Sequence, residues 1–432
     1  MNKKEKVAII GLGYVGAPLA YLTAYKGYKV IGIDKDEWAI EKINKKLNIP
    51  RGLNSNLNEL DLIATKEYSL LKNIDIIIVC VPTPTINNKP DVNILKNVIK
   101  NMGLFIKKGC LIIIESTVAP GMTKMYVEQY LNKKFNLEVG KHYDLAYCPE
   151  RIDPGNQKYW VENINRVCGA SSREALYRTF NFYKTILKAK IIPMESIEEA
   201  ELIKVWENSM RNISIAQANL LAQVCDKYNF SINNVRKGLE SKIKQFGNPL
   251  AYPGLGPGGH CIPEDIHYLI ETSENDINID MSLFKEAVKI NESMPKYAYS
   301  KMVNVINKNG DNIDNMNILM LGKSYKPNSD DIRRSQAIAL YDIIIKNNKN
   351  NIVYDPIVDN NLNKEEIEEN LREKLKNAEV VILGCPHNIF LNIDYSNYKN
   401  IKYVLDCWNK LDKEKIIDAG INYIGVGIWE II

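Results

Sequence analysis

The sequence predicts an α/β protein with two doubly wound parallel-sheet domains joined by a helical middle domain. Short apolar runs alternate with helical patterns over the first part of the chain, the rhythm of βαβ units. After Pro193 that rhythm gives way to long helical segments, and near residue 318 it restarts. The expected domains are 1–194, 195–312 and 313–432, the middle one holding a long central helix.

Lys6–Ile10 reads as the first strand, Val15–Lys26 as a helix and Lys29–Ile33 as the next strand, ending at Asp34. Further strands are expected at 75–81, 110–114 and 144–147. Gly11-Leu12-Gly13-Tyr14-Val15-Gly16 joins the first strand to the first helix. Its first glycine permits a tight turn, its second lets a pyrophosphate approach, and its third packs helix on strand. Asp34 stands where a ribose diol is bound, which favours NAD over NADP, with Lys35 beside it. The expected cofactor is therefore NAD in a Rossmann-like domain.

Ser196-Ile197-Glu198-Glu199 reads as a capping box. The helix it opens could run to about residue 227 without a proline or glycine, and further helical segments follow at 232–241 and 282–308. A long exposed helix of this kind suits a homodimer interface. Glu201, Lys204, Asn208 and Arg211 share one face of it; a solvated face is the default reading, an inter-domain cleft the alternative. In the last domain, strands are expected at Ile318–Leu321, Asn351–Tyr354, Val380–Leu383 and Tyr403–Leu405, with helices near 335–347 and 364–376. The turn Gly322-Lys323-Ser324-Tyr325-Lys326-Pro327 lacks the spacing of the first glycine motif, so a ligand with phosphates is expected there rather than a second dinucleotide.

Composition narrows the function. The 432 residues carry a formal net charge of +4, with 45% hydrophobic and 25% charged residues, which points to neither nucleic acid nor a membrane surface as partner. No apolar run reaches spanning length, and the N-terminal apolar run feeds the glycine motif rather than a cleavage site, so the expected location is cytoplasmic. Eight scattered cysteines without a Cys-x-x-Cys pair, and four dispersed histidines, argue against a disulfide framework or a metal site.

One cysteine stands apart. Gly258-Gly259-His260-Cys261-Ile262-Pro263 puts a thiol after two glycines and before a proline able to open a helix. Bare backbone lets a ligand approach, and a helix N-terminus favours a thiolate. A buried structural cysteine is the competing reading. Asp265, four residues on, opposes thiolate formation. Three segments end strands where ligands of open α/β sheets bind: 81–84 with Thr83, 115–121 with Thr117, and 148–155 with Glu150.

These segments together resemble the UDP-glucose/GDP-mannose dehydrogenase family. Seven motifs carry the resemblance in register: GLGYVG at 11–16, VPTP at 81–84, ESTVAPG at 115–121, CPER at 148–151, AELIKVWENSMR at 200–211, GPGGHCIPED at 256–265 and YKPNSDDIR at 325–333. The resemblance implies four-electron oxidation of a sugar carbon-6 alcohol to a carboxylate with two NAD. Cys261 would hold the aldehyde as a thiohemiacetal and then a thioester. Lys204 and Asn208 would stabilise oxyanions, Thr117 and Asp265 would hold a water, and Glu150 would assist as base. Arg151, Arg211, Tyr252, Gly254, Gly258 and Lys326 would contact the substrate, and Arg333 the NAD of a neighbouring cleft. The form of residues 150–156 is most similar to enzymes acting on UDP-N-acetylhexosamines, UDP-N-acetylglucosamine first, with UDP-N-acetylmannosamine and UDP-glucose as alternatives. Pro154, where UDP-glucose enzymes have a second glutamate, argues against a plain UDP-glucose site, and Trp408 replaces an expected arginine. A two-electron hydroxyacid-type dehydrogenase would not need Cys261 or residues 315–432. A non-catalytic nucleotide-sugar binder would not need the catalytic groups.

Overall fold

The computed structural model describes residues 5–47, 59–152, 160–243, 250–359 and 363–428. Pro154 lies outside them. The chain divides into two compact units, Met1–Glu207 with His267–Ile279, and Asn208–Ile266 with Asp280–Ile432.

The first unit is built on strands β1 (Lys6–Ile10), β2 (Lys29–Ile33), β3 (Leu62–Thr65), β4 (Ile76–Val79), a hairpin of β5 (Thr85–Ile86) and β6 (Lys89–Pro90), then β7 (Cys110–Ile114), β8 (Tyr143–Tyr147), β9 (Arg166–Ala170) and β10 (Ile191–Pro193). Eight of them form one sheet in the order β10-β9-β8-β7-β4-β1-β2-β3. Every residue of β4 and β7 is buried, the signature of strands covered on both faces. Strand β4 stops at Val79, two residues short of the expected end: the Cys80 N–H still bonds the Ile10 carbonyl, but the Val81 N–H turns to the Ser116 side chain, and Pro82 has no N–H to donate. Pairing is parallel except between β8 and β9, where Ala146 faces Ala170. The chain order reverses at β1, which lies between β2 and β4, so the turn after β1 sits at the switch point where ligands of such sheets bind.

Helices α1 (Gly16–Tyr25), α2 (Glu37–Asn44), α3 (Asn93–Met102), α4 (Gln129–Phe135) and α5 (Arg173–Ile186) connect these strands. Helix α5 starts at Ser172, whose Oγ accepts from the Ala175 N–H at 3.0 Å. Helix α6 (Ile197–Tyr228) runs 32 residues, as its start signal and lack of breakers predict. The Ser196 Oγ accepts from the Glu199 N–H at 3.1 Å, while the Glu199 carboxylate reaches back one residue further than a capping box requires, to the Glu195 N–H at 2.8 Å.

The second unit adds α7 (Ile232–Ile243), α8 (Ile262–Asn275, whose last turns belong to the first unit) and α9 (Ser282–Lys308). Strands β11 (Ile318–Leu321), β12 (Asn351–Tyr354), β13 (Val380–Leu383), β14 (Tyr403–Asp406) and β15 (Asn422–Gly425) form a parallel sheet in the order β12-β11-β13-β14-β15. Helices α10 (Gln336–Asn347), α11 (Pro356–Asp359), α12 (Lys364–Asn377) and α13 (Lys413–Asp418) accompany it. Lys301 on α9 pins α6 to the end of β15: its Nζ donates to Asp226 at 2.6 Å and to the carbonyls of Gly425 and Ile428 at 2.7 and 2.9 Å. No helix among the described residues is long and apolar enough to cross a membrane.

A buried charge cluster lies across β7, β8 and β9. Arg166, without solvent exposure, faces Glu115 at 3.0 Å and bonds Glu150, while the Tyr183 hydroxyl donates to Glu115. Burial pushes the Glu150 carboxyl above its ordinary range, with Arg166 pulling the other way. Removing the arginine leaves carboxylates buried without their cation, so Arg166→Met is expected to cost about 3–5 kcal/mol near neutral pH. The folded-state pKa of Glu150 then rises further above its unfolded value. The deficit must therefore shrink as pH falls toward the ordinary carboxylate range and grow as pH rises. Urea midpoints of both proteins at pH 5.5 and pH 8 measure this; a small deficit, or one equal at both pH values, would refute it.

Candidate active site

The turn after β1 has the space a dinucleotide needs. Gly11 has φ +94°, and a Cβ there would meet the Cys80 carbonyl oxygen at 2.5 Å; at Gly16 a Cβ would lie 1.8 Å from the Gly11 oxygen. Over Gly13 there is open space, with nothing within 4 Å of where a Cβ would stand. Helix α1 has no side-chain cap and no acid in its first turn, so its N–H groups face that space without a competing carboxylate. Asp34 is fixed at the end of β2 by the Leu12 N–H at 2.6 Å and the Asp36 N–H at 2.9 Å. Tyr14 and Lys35 are exposed beside it, and Val15 is half-buried. These residues fit an NAD pyrophosphate and ribose.

The strand-end loops of the first unit are knitted to one another. The Ser116 Oγ accepts from the Val81 N–H at 2.9 Å, the Thr83 hydroxyl donates to the Thr117 carbonyl at 2.6 Å, and the Tyr268 hydroxyl donates to the Thr83 carbonyl at 3.1 Å. Glu201 on α6 completes this loop by accepting from the Gly121 and Thr123 N–H groups at 2.7 and 2.9 Å. Burial pushes its carboxyl up to about 7, against the pull of those bonds. Glu150 accepts from the Arg151 and Ile152 N–H groups, both at 2.7 Å, and Arg151 itself bonds the Glu207 carboxylate and the Asn165 carbonyl.

The polar face of α6 is not the solvated stripe that is its default reading. Glu201, Lys204 and Asn208 are buried, and Arg211 alone of the four is exposed, because periodicity identifies a face but not what covers it.

In the second unit Cys261 caps helix α8. Helix geometry begins at Ile262, so Pro263 takes the second helical position rather than the first. The Cys261 carbonyl accepts from the Glu264 and Asp265 N–H groups at 3.2 and 2.9 Å. Asp265, one turn into the helix, accepts from the Asn208 side-chain amide at 2.6 Å. Of the eight cysteines, seven are buried and Cys261 is half-buried. Burial pushes the thiols of Cys80, Cys148 and Cys407 well above their ordinary value, which keeps them inert.

Three buried asparagines brace the turn before Cys261. The Gly254 N–H donates to Asn219 Oδ1 at 2.9 Å, Asn219 Nδ2 to Asn291 Oδ1 at 2.9 Å, Asn291 Nδ2 to Asn212 Oδ1 at 2.9 Å, and Asn212 Nδ2 to the Ile262 carbonyl at 3.3 Å. The chain of amides thus ties one end of the 254–262 segment to the other. Sequence reasoning missed these residues. The seven-residue spacing of Asn212 and Asn219, which puts them on one helix face, was their one signal.

Other expected residues lie in the second unit. Tyr252 is exposed, with the Arg236 guanidinium 3.9 Å from its ring centre. Gly254 lies close to the Cys407 carbonyl, where a Cβ would stand at 3.2 Å. Lys326 lies 5.7 Å from the Tyr325 ring centre, and Arg333 pairs with Asp331 at 2.6 Å within its own loop. Trp408, where an arginine was expected, turns its indole N–H to the Gly384 carbonyl at 2.8 Å and packs against the core around β14.

Comparison with known proteins identifies the family. The chain matches the NAD binding domain of the UDP-glucose/GDP-mannose dehydrogenase family over residues 5–187, the central domain over 198–293 and the UDP binding domain over 319–413. It is 30% identical to a UDP-N-acetyl-D-mannosamine dehydrogenase of Pyrococcus horikoshii, over 97% of this chain and 96% of that one. It is 31% identical to a UDP-N-acetyl-D-glucosamine 6-dehydrogenase of Salmonella typhi, over 82% and 83%. The solved structure of the P. horikoshii UDP-D-ManNAc dehydrogenase superposes with a TM-score of 0.88 at 28% identity, over 98% of this chain and 99% of that one. The chain belongs to the UDP-glucose/GDP-mannose dehydrogenase family, and is an NAD-dependent nucleotide-sugar dehydrogenase.

Proposed function

We propose that this chain oxidises carbon 6 of a UDP-N-acetylhexosamine to the carboxylate through a covalent bond to Cys261. The observation that carries the proposal is Cys261 itself: the one cysteine outside the buried set, at the N-terminus of α8, one turn from the Asp265–Asn208 pair. NAD, when bound, supplies what side chains lack, an acceptor for the hydrides taken from carbon 6. Gly11, Gly13, Tyr14, Val15, Gly16, Asp34 and Lys35 would hold it, with Thr83 and Thr117 at the ends of the neighbouring strands.

The side chains do the rest. The Cys261 sulfur adds to the aldehyde carbon, so the half-oxidised sugar stays bound. At the thioester stage, water attacks the carbonyl carbon, the carbon–sulfur bond breaks, and carboxylate and thiol are released. Lys204 and the second amide hydrogen of Asn208 stabilise the oxyanions. Asp265 and Thr117 hold the water, and Glu150, its carboxyl raised by burial, assists as base. Lys326, Arg151, Arg211, Tyr252, Gly254 and Gly258 contact the substrate, and Arg333 a neighbouring cleft's cofactor. The domain limits 1–194, 195–312 and 313–432 belong to this reading.

For the sugar, the form of residues 150–156 favours UDP-N-acetylglucosamine. A second reading, UDP-N-acetylmannosamine, is favoured by likeness along nearly the whole chain to the P. horikoshii protein. Leu202, Trp206 and Met210, exposed at four-residue spacing on α6, support a homodimer through the middle region. Eight free thiols suit a reducing, cytoplasmic compartment.

Assayed against a panel of UDP-sugars, the enzyme is expected to form two NADH per substrate with one N-acetylhexosamine epimer. A product stalled as the aldehyde after one NADH would sink the covalent route. Cys261→Ser should lower turnover by more than about a hundredfold or accumulate an ester, because an alkoxide leaves far less readily than a thiolate. For the dimer, Trp206→Glu with Met210→Glu should halve the mass measured by light scattering; a wild-type chain already monomeric at micromolar concentration would rule it out.

A further inference from the structure

We propose that His387 and Asp355 are positioning residues for the Cys261 turn, acting through the loop from Lys323 to Arg334; this rests on the reading of Cys261 as nucleophile. Both side chains are fully buried, and neither belongs to the motifs that carry the family resemblance.

The pair forms a clamp on the loop. Asp355, at the end of β12, accepts at Oδ2 from the Lys323 and Ser324 N–H groups at 2.8 and 3.2 Å, and at Oδ1 from the Ile357 and Val358 N–H groups at 3.1 and 3.2 Å. The Ser324 hydroxyl lies 3.2 Å from Oδ2 and donates to the Ser329 carbonyl at 2.6 Å. His387, after β13, stands 3.0 Å from Asp355 through Nε2 and accepts from the Asn328 N–H at 2.8 Å through Nδ1. A backbone N–H can only donate, so Nδ1 is bare and Nε2 carries the proton toward Asp355. Burial pushes the Asp355 carboxyl up, but the His387 bond and the N–H donors outweigh it and hold it at about 2, a carboxylate at any working pH. Asn328 has φ +55°, and its side chain accepts from the Asn388 N–H at 3.1 Å, so the loop's turn is held at both backbone and side chain.

The loop in turn presses on the cysteine turn. The Tyr325 side chain covers Gly258 and Gly259, where a Cβ would stand 2.5 Å from Tyr325 Cβ and 2.9 Å from its ring, respectively. Gly259, at φ +81°, donates its N–H to the Arg333 carbonyl at 2.9 Å, and Arg334 pairs with Glu264 in the first turn of α8 at 3.2 Å. The residues on both sides of Cys261 are thus held by a loop whose own shape depends on Asp355 and His387. Among the described residues, the acceptor of the Asn328 N–H is the His387 imidazole.

The full-length protein tests this through alkylation of Cys261 by iodoacetamide, followed by peptide mass spectrometry, together with kcat and KM. His387→Leu removes the acceptor and should slow alkylation and lower kcat by about tenfold, with KM for NAD unchanged. His387→Asn places an amide oxygen near the Nδ1 position and should recover both to within about threefold. A His387→Leu protein that alkylates and turns over like wild type overturns the proposal, as does an Asn variant no better than Leu. If His387→Leu does not fold, Tyr325→Leu carries the same expectation and the same refutation. Retained turnover in Cys261→Ser would sink the nucleophile reading alone, while the alkylation comparison would still decide on the clamp.

Discussion

A run of glycines cannot hold itself in place, and the structure of the second unit is organised around that constraint. Residues 254–261 contain four glycines and one proline, side chains with little to anchor. Their position is imposed from outside: by the asparagine chain on α6 and α9, by Tyr325 and the Arg333 carbonyl, and by the Asn208–Asp265 bond at the start of α8. Each buried amide has its partners, so the cost of burying them is met and the arrangement is directional. A glycine turn gives a ligand room, and its rigid surroundings keep the thiol from using that room.

The same trade recurs in the first unit with charge instead of amides. Glu115, Arg166 and Glu150 are buried together at adjacent strands, carrying one cation for two carboxylates. Hydrophobic residues of similar volume would hold these strands at lower cost. What the charges add is placement: Glu150 is fixed by Arg166 on one oxygen and by two backbone N–H groups on the other, which sets the turn that carries Arg151. Glu201 does the corresponding work for the 115–123 loop. In both units, the strands supply the frame, and buried polar groups fix the loops at its edge.

Much of this was legible in the sequence, for reasons that differ by level. Helix α6 announces its start with Ser196 and Glu199 and carries no proline or glycine along its length, so local chemistry marks its start and permits its length. Strands β4 and β7 are continuous apolar runs, and the Gly11–Gly16 turn carries its glycine spacing on its face, although part of what crowds it, the Cys80 carbonyl, comes from the end of β4. Strand β9 was not legible, since nothing in Arg166–Ala170 distinguishes an antiparallel neighbour from a parallel one. Nor were the bracing groups. Asn291 meets Asn219 across 72 residues and Asn212 across 79, and His387 meets Asn328 across 59. A single asparagine or histidine reads as a surface residue until its partner is known.

The stripe on α6 shows where sequence reading divides from structure. Spacing places Glu201, Lys204, Asn208 and Arg211 on one face but is silent on the environment, and burial then separates them into different roles. Glu201 serves the 115–123 loop, Asn208 serves Asp265, and Lys204 lies between them on the same helix, one turn from Asn208. Equal spacing on one helix thus leads to unlike duties, a carboxylate that ties a loop and an amide that holds a carboxylate.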